Sequence, residues 1–166
     1  IREKIVYVPE DRKEEGLILG GNILENMTLS LLNPFAIIPS KRFEKFSREE
    51  ISKKKIKCSG EDQVVRNLSG GNQQKVVLSK WLATEPLVLI LDEPTRGIDV
   101  QAKTEIYQLL SELVKKGMGI ILISSDLPEI LGLSDRVLVL HERSPKGILK
   151  GEKITSENIF STALSA

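Results

Sequence analysis

Leu87-Val88-Leu89-Ile90-Leu91 is a run of five aliphatic residues that stops at Asp92-Glu93-Pro94. A strand apolar on both faces needs cover on both, as a central strand of a parallel sheet does. An amphipathic segment follows. Ile106, Leu109, Leu110, Leu113 and Val114 recur at helical spacing within Val100 to Lys116, and Gly117 is placed to end that helix. Gly119 to Ile123 and Lys4 to Pro9 read as further buried strands, the latter ending at its proline. A short helix over Leu127 to Leu131, a strand over Arg136 to Leu140, an edge strand over Gly147 to Lys150 and a terminal helix over Ser156 to Ala166 complete the pattern. Strands alternating with helices predict an α/β fold with a parallel sheet core.

One segment breaks the alternation. Glu10 to Gly21 reads as a polar loop, Ile23 to Leu32 as a helix, and Lys41 to Lys57 as charged and helical in part, with Pro34 and Pro39 as breaks between them. Ser59 to Asn67 reads as a loop. Residues 24–67 are therefore expected to form an inserted helical subdomain, with 1–23 and 68–166 as the core. Ser69 then reads as the N-cap of a helix running to about Thr84, with Gly70 and Gly71 at its entrance and Val76, Val77, Lys80 and Trp81 on its buried side.

Composition narrows the functional classes. The 166 residues hold 24 Lys+Arg against 23 Asp+Glu, which argues against a broad basic face for nucleic acid. Aromatics make up 4%, too few for base-stacking platforms. The one cysteine, Cys58, has neither a second Cys nor a nearby His, the spacing a metal site needs. No apolar run approaches the ~18–20 residues that span a bilayer. The sequence opens Ile1-Arg2-Glu3-Lys4, which does not resemble a signal peptide. Without an initiator Met, it suggests a piece of a longer chain.

Two constellations carry chemistry. Asp92 and Glu93 close a buried strand, where open α/β sheets bind ligands. There an Asp can hold Mg²⁺ through water, and a Glu can orient and deprotonate an attacking water in phosphoryl transfer. Taken alone, Asp-Glu-Pro ends a surface strand as readily as it builds a site. In the second, Ser69-Gly70-Gly71 exposes backbone N–H groups at a helix N-terminus with no Cβ in the way, a ready anion site to which the Ser hydroxyl adds a donor. A lone Ser-Gly-Gly is common in loops. The full run Leu68-Ser69-Gly70-Gly71-Asn72-Gln73-Gln74-Lys75 followed by the Leu87–Glu93 strand is far more specific.

These runs resemble the signature motif and Walker B strand of an ATP-binding cassette (ABC) ATPase. Across nearly its whole length the chain resembles the second, C-terminal ATPase domain of bacterial ABC sugar importers of the ribose/galactose/xylose type. Val6-Tyr7-Val8-Pro9-Glu10-Asp11-Arg12-Lys13, Glu25-Asn26-Met27, Arg96-Gly97-Ile98-Asp99-Val100 and Ile123-Ser124-Ser125-Asp126-Leu127-Pro128-Glu129 extend the match. The resemblance implies a P-loop NTPase-like core, ATP and Mg²⁺ as ligands, and Ser69, Gly70, Gly71, Gln73 and Asp99 as nucleotide contacts, with Asp99 facing a partner domain. It implies Asp92 and Glu10 as metal ligands, Glu10 standing where most relatives have Gln. It implies Glu93 as catalytic base and places Ser125 at the switch position usually held by His. Serine cannot serve there as a cationic clamp. The only histidine, His141, does not match that position.

No Gly-x-x-x-x-Gly-Lys-Ser/Thr phosphate loop occurs in these residues. Against the family, an N-terminal portion of ~80–100 residues is expected to be missing, and Glu49 to Cys58 looks a turn or two short. The resemblance implies head-to-tail pairing with a second ABC ATPase domain and docking on an integral membrane sugar permease through the Glu10–Gly21 loop and helical subdomain. A periplasmic or extracellular sugar-binding protein is an indirect partner, nucleic acid is none, and the location is the cytoplasmic face of a bacterial membrane. The isolated chain is expected to hydrolyse no ATP. The alternatives are a soluble ABC-type ATPase of DNA repair or translation, and a non-catalytic dimerisation module.

Overall fold

The structure, a computed structural model, describes residues 4–32 and 40–164. The proline breaks expected at Pro34 and Pro39, and the last two residues of the expected terminal helix, lie outside them. The chain divides into two compact units, Ile1–Ile123 and Ser124–Ala166, the boundary falling directly after a strand.

The first unit is built on three parallel strands, β1 (Ile5–Val8), β2 (Val88–Asp92) and β3 (Gly119–Ile123), in the order β1-β2-β3. Tyr7 sits opposite Ile90 and Ile90 opposite Ile121, so β2 is central, as its aliphatic run predicts. Cover differs from the expectation. Val6, Val8, Leu89 and Leu91 face a core that excludes water almost completely. On the other face Ile5, Tyr7, Ile121 and Ile123 are each about half exposed, from 47% to 52%. The helices of this unit lie over one face only.

Those helices are α1 (Ile23–Thr28), α2 (Ser40–Lys53), α3 (Gly70–Leu82) and α4 (Val100–Lys115). A capping box starts α1: the Asn22 side chain accepts from the Glu25 N–H while the Glu25 carboxylate accepts from the Asn22 N–H. The segment from α1 to α2 is pinched at its neck. Asn22 pairs antiparallel with Val64, and the Ile23 N–H donates to Gln63 O while the Val65 N–H donates to Gly21 O.

Helix α3 departs from its expected one-sided burial. Every residue from Gly71 to Lys80 is buried, because α3 packs against α1, α4, β1 and the turn at Arg12–Gly16. Its two buried lysines find partners, while Gln73 Oε1, Gln74 Nε2 and Trp81 Nε1 are buried without one. Lys75 Nζ pairs with Glu105 at 2.5 Å, and Lys80 Nζ donates to Gly16 O at 3.0 Å. As expected, α4 ends at Gly117, whose φ of +91° suits glycine.

The second unit holds α5 (Leu127–Leu133), strands β4 (Arg136–His141) and β5 (Ser144–Lys150), and α6 (Ser156–Leu164). β4 and β5 form an antiparallel hairpin of their own rather than extending the parallel sheet. Alternation explains this: Val137 and Val139 are buried while Leu138 and Leu140 are exposed, the pattern of a one-sided antiparallel pair. Helix α6 packs on that hairpin, close enough that a Cβ on Gly147 would lie 3.1 Å from the Thr162 methyl.

Candidate functional site

Asp92 is the last residue of β2, and its Oδ2 accepts a hydrogen bond from the Tyr7 hydroxyl at 2.8 Å. Tyr7 lies on the neighbouring strand and on the same face, which its register opposite Ile90 ensures. The bond to Asp92 raises the Tyr7 pKa, with smaller help from desolvation and from the charges of Asp92 and Glu15. The phenol is thus kept as a donor that orients the carboxylate. Nothing in the spacing of the sequence singled out Tyr7. An aromatic hydroxyl one residue before the end of a strand adjacent to β2 was the available signal.

Glu93 has φ +42°, in the left-handed region that a non-glycine residue occupies only when its surroundings enforce it. Its N–H donates to Ile123 O at 2.9 Å, and its carbonyl accepts from the Arg96 N–H at 3.1 Å. The chain therefore turns sharply after β2 and carries the Glu93 side chain out of the strand's alternation.

Ser69 occupies the N-cap position of α3 but does not cap it. Its Oγ accepts from Asn72 Nδ2 at 2.9 Å, and Asn72 Oδ1 accepts from the Lys57 N–H at 3.0 Å. A hydroxyl that accepts still has a proton to donate. The two glycines have different neighbours. A Cβ on Gly70 would lie 2.8 Å from Arg12 Nη2 and 3.3 Å from Gly97 O. One on Gly71 would lie 2.4 Å from the Cβ of Ala102, so Gly71 also lets α3 and α4 meet. Gln73 is 3% exposed, and its Nε2 donates to Val65 O at 3.1 Å. Asp99 caps α4 by accepting from the Ala102 N–H at 2.9 Å.

The loops after β1 and β2 meet. Glu10 is ion-paired with Arg96, and Arg12 Nη1 donates to Arg96 O at 2.9 Å. Glu10, Asp11, Arg12, Lys13 and Arg96 line a cleft of about 370 Å³. Arg12 is half-buried, and desolvation lowers its pKa while Asp11 opposes the shift. Glu10, Ser69, Gly70, Gly71, Gln73, Asp92, Glu93 and Asp99 thus all belong to the first unit. Ser125 belongs to the second, where it is exposed one residue before Asp126, the N-cap residue of α5.

Residues 1–96 match the family described as ABC transporter. The chain belongs to that family. Among curated relatives it is similar to the "Ribose import ATP-binding protein RbsA" of Lactococcus lactis subsp. lactis, 49% identical over 98% of this chain and 34% of that protein. The protein of the same name from Oceanobacillus iheyensis is 51% identical over 96% of this chain and 33% of the relative. The chain thus spans about a third of the length of these relatives. Among solved structures, a Clostridium perfringens protein described as part of an ABC transporter complex matches 96% of this chain and 62% of its own, with TM-score 0.76 and 26% identity. A dimeric ATP-binding cassette bound to ADP and Pi matches 90% of this chain and 63% of its own with the same TM-score and 24% identity, a likeness of fold.

Proposed function

We propose that these residues are the signature and Walker B portion of an ATPase that drives sugar import through a membrane permease. The observation that carries this reading is the turn opening α3, where Ser69 leaves its hydroxyl proton unspent on its own helix. The relatives named for ribose import make ribose the first sugar to test.

In this scheme Ser69, Gly70 and Gly71 seal ATP held by the phosphate loop of a second ABC domain, arranged head-to-tail. The backbone N–H groups and the α3 N-terminus suit an anion. Glu93 accepts a proton from the attacking water, and Asp92, aimed by Tyr7, sits beside it. Gln73 supports the turn from within the packing, and Asp99 orients the start of α4 toward the partner. Ser125 holds the switch position and provides a hydroxyl there.

The donor set fits Mg²⁺. Among the described residues no three His, Cys, Asp or Glu side chains gather into a metal cage. Mg²⁺ characteristically takes one or two carboxylates and fills its shell with phosphate and water. Asp92 would be one such carboxylate, with Glu10 a second once it leaves Arg96. The ion, when bound, neutralises charge that develops on the transferred phosphoryl group.

Residues 24–67 would act as the helical subdomain that, with the Glu10–Gly21 loop, receives the permease. No described helix is long and apolar enough to cross a membrane, and we place the ATPase at its cytoplasmic face. An external sugar-binding protein would act through the permease alone. The test is phosphate release by the longer protein that contains these residues. Glu93→Gln should lower turnover by about 10²–10⁴-fold, the usual worth of a general base, while ATP binding persists. Unchanged turnover would refute the assignment.

A further inference from the structure

Three segments converge on the guanidinium of Arg12. Its Nη1 donates to Arg96 O, on the loop that follows Glu93. Its Nη2 occupies the space where Gly70 would carry a side chain, and it also lies 3.9 Å from a Cβ built on Gly97. Its own backbone lies in the loop after β1, where Glu10 pairs with Arg96 from the same side. Its Nε is buried without an acceptor. A buried N–H left unpaired is unfavourable. An aliphatic side chain would fill the same space without that penalty, so packing alone does not account for an arginine here. The planar fork does: it reaches two directions at once from a fixed stem.

We propose that Arg12 is a positioning residue that holds the Ser69–Gly71 turn and the loop from Glu93 to Asp99 in one fixed relation. The role rests on the ATPase function proposed above. There the turn serves nucleotide carried by the partner domain, and Glu93 serves nucleotide of its own domain. Arg12 therefore joins the two half-sites within one domain. It acts through the backbone of Arg96 and the closeness of Gly70. Glycine at 70 is then explained twice, by anion access and by the guanidinium packed against it.

The experiment uses the full-length protein with Arg12→Lys and Arg12→Ala. Lysine keeps the charge but lacks the fork. Both variants should lower kcat by roughly ten- to a hundredfold, the cost of misplacing groups by about 1 Å. KM for ATP should stay within about twofold and the melting temperature of Arg12→Lys should match wild type, because nucleotide is gripped elsewhere. Hydrogen exchange should quicken at residues 69–73 and 95–99 and stay unchanged within α4. Wild-type kcat in both variants, or exchange unchanged at those two segments, would overturn the role. Should Glu93→Gln leave hydrolysis intact, the ATPase reading fails instead, and the exchange measurement still decides whether Arg12 braces the two segments.

Discussion

At the scale of single residues, the strand-end carboxylates are held by groups with no motif of their own. Tyr7 fixes Asp92 from the next strand; on the proposed function it is an outer group that orients a metal-binding side chain. In the full-length protein Tyr7→Phe should raise the Mg²⁺ concentration needed for half-maximal ATP hydrolysis by about tenfold. Titrating Mg²⁺ at saturating ATP checks this, and an unshifted midpoint counts against the orienting bond. Asp92 and Glu93 were readable in the sequence because an aliphatic run ended on them. Tyr7 was not, because it reaches Asp92 across a register between residues 85 positions apart. Local spacing carries no such information. The left-handed turn at Glu93 was equally hidden, since a non-glycine residue gives no sign of positive φ until its neighbours enforce it.

At the scale of elements, α3 and α4 depend on their close approach at Gly71. Gly71→Ala would place a methyl 2.4 Å from that of Ala102, forcing the helices apart at a cost of about 1–3 kcal/mol. Urea unfolding should show the loss, and adding Ala102→Gly should recover part of it, since touching residues are not additive. Lys80 sets a second condition on α3. Burial lowers its pKa from 10.5, so over the window below 10.5 the unfolded chain binds more protons than the folded one. Stability contributed at this position therefore rises as pH rises through that window. The stability difference between wild type and Lys80→Met should grow in favour of wild type from pH 7.5 to pH 10. A constant difference would mean that Lys80 keeps its ordinary proton affinity. Periodicity located α3 but not its full burial. Asn72, Gln73, Gln74, Lys75 and Ser79 are outside the set expected on the buried side, yet each lies within the packing. Lys75 and Gln73 find partners in other segments, Glu105 and Val65, while Ser79 bonds back to Lys75 O within the helix.

At the scale of the molecule, the sheet of the first unit is covered on one face and open on the other. A parallel sheet ordinarily has both faces covered, whereas Ile5, Tyr7, Ile121 and Ile123 here form an apolar face that is about half exposed. The aliphatic runs led to an expectation of cover on both faces, and the described residues supply it on one. The hairpin of the second unit was likewise readable as strands and not as a separate sheet, because pairing direction is decided by the turn at Glu142–Arg143, both at positive φ. On the proposed function, these residues supply the signature turn and the hydrolytic carboxylates, while a phosphate loop outside them grips the nucleotide. Calorimetric titration of Mg-ATP into the 166-residue chain tests it most directly. No saturable binding is expected up to about 1 mM, the level of roughly −4 kcal/mol. Saturable binding at micromolar concentration would contradict it.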